Sequence, residues 1–303
     1  MKLAVLLNAG AGSVGREKCE ERKQEILAAF AEAGVDAQAH LCEPAQLADT
    51  ARELARSGVD AIVAAGGDGT VSTVASALVG GHVPLGVLPL GTLNHFAKDI
   101  GMPLDLREAA RAIAEGDATY VDVAELNGRT FVNNSSIGLY PEIVVARDRD
   151  RKQRGRGKWT AMAIAALRVL RRFPLLKVRV ATDQATLHAR TPLVFVGNNS
   201  YAFNVLDLGS RPRLDAGALS LYMMRSTSRL KMFWLMVRAI LQRLDAVEDF
   251  EAHEVRELIV RTGKRSVVVA LDGEVCRMAP PLHYRIRPKA LPLLVARAAE
   301  AAA

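Results

Sequence analysis

Residues 61–70 read AIVAAGGDGT. The short apolar run at 61–64 predicts a buried strand, and Gly66-Gly67-Asp68-Gly69-Thr70 follows almost at once. Helical character resumes over residues 70–79. A strand that stops at a glycine-rich loop and reopens as a helix is the building unit of parallel α/β sheets. Three glycines in four positions let the backbone approach a ligand closely and reach φ > 0. The N–H groups at the start of the next helix suit phosphate oxygens. Asp68 would repel a phosphate directly, so it makes sense holding Mg²⁺, or water around it, that bridges to the phosphates. Its plainer reading is a helix cap in a tight turn.

Working outward, residues 3–7 (LAVLL) are apolar and end at Asn8, before a loop rich in Gly and Ala. A helix is expected over 16–33, with Ile26, Leu27 and Phe30 on one face and Gly34 as its stop. Strand and helix then follow at 35–41 and 45–57. Another strand at 83–88 ends in Pro89-Leu90-Gly91-Thr92-Leu93-Asn94, where Thr92 and Asn94 open a helix. Short helices fit 94–100 and 105–115. The alternation predicts a doubly wound, Rossmann-like α/β domain over 1–119, with all three loops at the carboxyl ends of parallel strands, the ligand-bearing edge of such sheets. Gly10, Gly12 and Gly15 also spell G-x-G-x-x-G, and Glu43 could serve as the ribose acid, so a dinucleotide-dependent dehydrogenase is one reading.

Beyond residue 119 the pattern turns to β-type runs at 120–126, 130–134, 177–181, 187–196, 218–224, 257–262 and 266–271. Turn signals at Asn127-Gly128 and Thr262-Gly263-Lys264 separate some of them. A second, mainly antiparallel β-sandwich domain is expected over 120–287, interrupted by helical inserts near 158–172 and 229–244. Residues 288–303, with an apolar stretch at 291–299, are expected to return to the first domain.

Composition narrows the class. The 303 residues are 50% hydrophobic and 24% charged, as in a globular protein. Neither a signal peptide nor an apolar run of spanning length is present, so a cytoplasmic location is expected. Cys19, Cys42 and Cys276 form no C-x-x-C pair and suggest neither a zinc site nor a disulfide framework. The net charge of +7 suits an anionic partner.

The pair GGDGT and P-x-G-T-x-N-x-F-A, here Pro89 to Ala97, resembles the diacylglycerol kinase catalytic-domain family, which includes sphingosine and ceramide kinases and is related to NAD kinases. Asn8-Ala9-Gly10-Ala11-Gly12-Ser13 resembles its N-P-x-x-G-x loop, with Ala9 in place of proline. Leu271-Asp272-Gly273-Glu274 resembles its D-G-E turn. The resemblance implies ATP in a cleft between two domains, cradled by Asn8, Gly10, Gly12 and Ser13, by Gly66, Gly67, Asp68, Gly69 and Thr70, and by Thr92 and Asn94. Asp68 and Asp122 would support magnesium. Glu274, with Asp272 beside it, would accept the proton of a lipid hydroxyl, and the residues alone do not choose between the two. A carboxylate suits that role because an alcohol is a poor nucleophile until its proton has somewhere to go. Two carboxylates on a solvated hairpin are the alternative.

Departures from the family pattern are specific. His95 replaces the usual Asp after GTxN. Leu214-Asp215-Ala216-Gly217-Ala218-Leu219 has Ala in the structural metal loop, leaving Asp215 as a substitute ligand. Cys42 stands where a nucleotide-contacting threonine is usual, and Gly138-Leu139-Tyr140 replaces G-F-D.

Residues 147–158 (RDRDRKQRGRGK) hold seven basic and two acidic residues. Trp159 and an apolar run follow. With the segment 229–244, which mixes Met, Phe and Trp among Arg and Lys, this makes 147–172 and 229–244 candidate contacts to an anionic membrane surface. Core helices with solvated faces are the alternative. Nucleic acid is not expected, since aromatics are only 5% and no binding motif is present. The expected activity is an ATP- and Mg²⁺-dependent lipid kinase, peripheral on the inner membrane face, with diacylglycerol the default acceptor and ceramide or a sphingoid base the rival. An NAD kinase-like enzyme and a non-catalytic nucleotide- or lipid-binding protein are further readings, and a homodimer stays open.

Overall fold

The computed structural model of the chain describes residues 1–9, 16–142, 144–145, 175–203, 208–224 and 250–297. The chain forms two compact units, Met1–Val123 with Arg287–Ala303, and Ala124–Ile286.

The first unit alternates strand and helix: β1 (Lys2–Asn8), α1 (Arg16–Glu32), β2 (Asp36–Cys42), α2 (Leu47–Leu54), β3 (Ala61–Gly66), α3 (Asp68–Leu78), β4 (Leu85–Pro89), α4 (His95–Asp99) and α5 (Leu106–Glu115). The four strands are parallel, in the order β2-β1-β3-β4. Right-handed crossovers send α1 to one face and α2 and α3 to the other. Accordingly α1 packs beside α5, and α2 beside α3. Helices on both faces explain why β3 is apolar throughout instead of alternating: every residue from Ala61 to Gly66 is buried. Val5, Leu6, Ile62 and Val63 are 0% exposed, and burying each side chain contributes about 1.5–3 kcal/mol.

Next, β5 (Asp117–Leu126) carries the chain across the unit boundary. The second unit then contains β6 (Arg129–Phe131), β7 (Asn134–Gly138), β8 (Leu176–Thr182), β9 (Thr186–Thr191), β10 (Leu193–Asn198), β11 (Ala202–Phe203), β12 (Leu208–Ser210), β13 (Leu219–Met224), β14 (Phe250–Val255), β15 (Glu257–Thr262), β16 (Val267–Leu271) and β17 (Glu274–Met278). Finally β18 (Leu282–Val295) begins in the second unit and ends in the first. There Leu293 pairs with Leu85 of β4.

Within the second unit a six-stranded antiparallel sheet runs β14-β13-β10-β7-β16-β17. A second antiparallel layer joins β9, β8, β15 and the start of β18. Ile137, Val196, Leu221 and Val269 from one layer meet Val180, Leu258 and Tyr284 from the other in a single apolar core. The Tyr284 hydroxyl lies 3.1 Å from Ser135 Oγ across this core. Burial pushes that phenol well above its ordinary range, with Ser135 opposing the shift.

Two expected strands are each divided. The run at 187–196 splits at Pro192 into β9 and β10, which belong to different sheets. Proline has no N–H to give a ladder, and its carbonyl takes the Leu139 N–H at 2.8 Å. The run at 130–134 breaks at residues 132–133, between β6 and β7, because the amides there are bonded to a side chain described below. The expected inserts at 158–172 and 229–244 lie outside the described residues. No helix among the described residues is long and apolar enough to cross a membrane.

Candidate active site

The order β2-β1-β3 means that the chain leaves β1 toward one edge of the sheet and β3 toward the other. Ligands bind open α/β sheets at such a reversal, beyond the carboxyl ends of the strands. The loop after β1 begins at Asn8, the loop after β3 is the GGDGT turn, and β4 ends in Pro89. Hydrogen bonds tie all three together. Asn8 Nδ2 donates to Thr70 Oγ1 at 3.0 Å. Leu90 N–H donates to the Gly66 carbonyl at 3.0 Å. Phe96 N–H donates to Asp68 Oδ1 at 3.0 Å. Asp68, the first residue of α3, therefore caps α4. Its second oxygen makes no hydrogen bond among the described residues and is left for water or a cation.

Close approach explains Gly66, Gly67 and Gly91. Neither Gly66, Gly67, Gly69 nor Gly91 has positive φ, in contrast to the freedom expected for the GGDGT loop. A Cβ on Gly66 would lie 2.4 Å from Thr70 Oγ1, and one on Gly91 2.5 Å from the Gly67 Cα. Asn94 occupies the left-handed region (φ 50°) and closes its own turn, accepting from Gly91 N–H at 2.9 Å and donating to the Gly91 carbonyl at 3.0 Å. Thr92 is exposed. Gly10, Gly12 and Ser13 lie outside the described residues.

The remaining acidic candidates have partners of their own. Asp122 is buried and accepts the Lys289 N–H at 2.8 Å, fixing the left-handed bend of β18 at that residue. Asp215 is half-exposed and pairs with Arg213 at 3.1 Å. Among the described residues no three His, Cys, Asp or Glu side chains gather into a cation cage. Magnesium is usually held by one or two carboxylates, water and substrate phosphates, and the free Asp68 oxygen fits that mode. Cys42 is buried, and burial pushes its thiol up; its Sγ lies 3.7 Å from the His40 carbonyl.

The D-G-E turn separates its two carboxylates. Leu271 pairs with Glu274 across a two-residue hairpin whose central residues, Asp272 (φ 46°) and Gly273 (φ 85°), are both left-handed. That is the type I′ geometry which Asp-Gly favours. Asp272 accepts the amides of Val132 at 2.8 Å on Oδ2, and of Asn133 at 2.8 Å and Asn134 at 3.0 Å on Oδ1. These are the bonds that interrupt the strand expected at 130–134. Glu274 is exposed at the start of β17 and makes no side-chain hydrogen bond or ion pair among the described residues. One carboxylate anchors the turn; the other is exposed beside it.

Sequence reasoning missed the polar network behind this turn. Arg211, Asn133, Asn198 and Asn199 are all buried. Two Asn-Asn pairs in otherwise apolar β runs, 133–134 and 198–199, are the signal that could have found it, because buried amides demand partners.

The family model for the diacylglycerol kinase catalytic domain matches residues 2–126. That for the YegS C-terminal NAD kinase beta sandwich-like domain matches residues 141–295. A diacylglycerol kinase of Bacillus subtilis (strain 168) is 35% identical over 133 residues, 43% of this chain and 44% of that protein. One from Staphylococcus saprophyticus is 25% identical over 230 residues, 74% of each. The chain thus spans less than half the length of the first relative and about three quarters of the second. A crystal structure of a diacylglycerol kinase from Bacillus anthracis (strain Sterne) superposes with TM-score 0.69 at 21% identity, over 98% of this chain and 97% of that one, a likeness of fold. By both domain matches, this chain belongs to the family of diacylglycerol kinases and YegS-type lipid kinases.

Proposed function

We propose that this chain transfers the γ-phosphoryl group of ATP to the hydroxyl of a membrane lipid, with diacylglycerol the first candidate. The observation that supports it most is the hydrogen-bonded cluster of loops at the sheet reversal, where Asn8, Thr70, Asp68 and the Gly91 turn brace one another. Such a site offers backbone N–H groups and a half-free carboxylate, not an apolar pocket. Gly10, Gly12, Ser13, Gly69 and Thr92 complete the proposed ATP cradle. Bound Mg²⁺ would spread the charge of the transferring phosphoryl group. Asp68 is its proposed contact, and Asp122 and Asp215 are its weaker candidates.

Glu274 is the proposed base. Its carboxylate takes the proton as the lipid oxygen bonds to phosphorus and the bond to the ADP leaving group breaks. Asp272 is then the residue that fixes the turn. Segments 147–172 and 229–244 are proposed to meet an anionic membrane on its cytoplasmic face. Ceramide and sphingoid bases remain rival acceptors.

The test is label transfer from γ-labelled ATP into mixed micelles that present diacylglycerol, ceramide or sphingosine separately. Label in one phospholipid supports the reading and names the acceptor. Absence of label in all three, with ATP still bound, contradicts it and favours a binding protein. Reduction or oxidation of a nicotinamide cofactor would instead favour the dehydrogenase.

A further inference from the structure

Arg211 is a charged side chain only 3% exposed within the second unit. Burying a guanidinium is costly unless its donors are met. Here Nη1 donates to the Val132 carbonyl at 2.5 Å and to the Asn198 carbonyl at 3.2 Å. Nη2 donates to Asn133 Oδ1 at 2.7 Å. The guanidinium also lies 5.6 Å from the centre of the Tyr201 ring. Asn198 Nδ2 adds a second donor to the Val132 carbonyl at 2.9 Å, and the Tyr201 hydroxyl donates to the Asn133 carbonyl at 3.0 Å.

The carbonyl of Val132 and the N–H of Asn133 are two ends of one peptide group. So are the carbonyl of Asn133 and the N–H of Asn134. Arg211 and Tyr201 hold the oxygen ends, and Asp272 holds both nitrogen ends. A donor on a peptide oxygen polarises the group and strengthens its N–H as a donor. Cation and anion are therefore linked through a peptide.

We infer that Arg211 is a positioning residue for phosphoryl transfer, acting through the 132–133 peptide and Asp272 to fix the turn that presents Glu274. This rests on the kinase reading with Glu274 as base. Lysine cannot replace Arg211 here, since a point charge cannot serve three acceptors in a planar fork.

The experiment compares wild type, Arg211→Lys, Glu274→Gln and the double variant of the full chain, in γ-phosphate transfer to the lipid that wild type uses. Arg211→Lys should lower kcat by about 10–100-fold, the scale of a slight misplacement, with the KM for ATP within about twofold. In the Glu274→Gln background the same change should cost no more than about twofold, because residues acting as a unit are not additive. Equal losses in both backgrounds, or full activity in Arg211→Lys, would overturn the inference. If Arg211→Lys does not fold, Tyr201→Phe removes one donor to the same bend and should show the same non-additivity at about 2–5-fold. If wild type labels no lipid, the kinase reading fails separately. Amide exchange at Asn133 and Asn134 then decides for Arg211: faster exchange in the variant supports the clamp, and unchanged exchange overturns it.

Discussion

The GGDGT loop of the first unit and the Asp272-Gly273 turn of the second both set a carboxylate beside glycine, for different physical reasons. In the GGDGT loop and at Gly91 the glycines do not have positive φ, and what Gly67 and Gly91 supply is room: they approach so closely that one added carbon would collide. In the second unit Gly273 has φ 85° and nothing within 4 Å of a Cβ, so what it supplies is conformation. The carboxylates differ in parallel. Asp68 gives one oxygen to the Phe96 amide and keeps the other, whereas Asp272 commits both oxygens to three amides. Two acidic residues in matching glycine-rich settings thus differ, one half-free and the other a structural anchor, and the count of donors tells them apart.

Substitutions can break that contrast, the largest effect first. Asp272→Ala strands three amides that were bonded to a charged group, each such bond being worth about 1.5–3 kcal/mol, and is expected to cost about 3–5 kcal/mol in denaturant unfolding. Gly91→Ala should cost about 1–3 kcal/mol, because the collision is with backbone. Gly273→Ala should cost about 1–2 kcal/mol from the left-handed φ alone. If Gly273→Ala proved the worse of the two, the distinction between room and conformation would fail. Tyr284→Phe removes one buried hydrogen bond and should cost about 1 kcal/mol. Asp68→Asn keeps an acceptor for Phe96 N–H and should stay within about 0.5 kcal/mol of wild type while losing transfer; intact transfer in that variant would remove the metal role.

The first unit was largely legible in the sequence because its logic is local. An apolar run, a glycine stop and a helical restart lie within 20 residues of one another, and β3 and α3 follow that grammar. Asn127-Gly128 was equally plain, with φ 47° and 82° in the hairpin it foretold. The second unit resisted. The strand β17 (EVCRM) alternates polar and apolar residues at the edge of its sheet. In β18, Arg285, Arg287, Pro288 and Lys289 interrupt the apolar rhythm, so only its apolar end stands out in the sequence. Arg211 could not be read at all, because its partner Val132 is 79 residues away and no periodicity connects them. The Asp272-Gly273 pair reads as chemistry in the sequence, but its turn type, which separates the two carboxylates, needs the dihedral angles.

The most direct test of the account is γ-phosphate transfer to the lipid acceptor by Glu274→Gln beside wild type, with ATP binding and thermal unfolding measured on both. The account predicts label in the lipid with wild type, a loss of about 100-fold or more in the variant, the scale of a removed general base, and unchanged ATP binding and unfolding, since the side chain is exposed and unbonded among the described residues. Wild-type transfer in Glu274→Gln would contradict it.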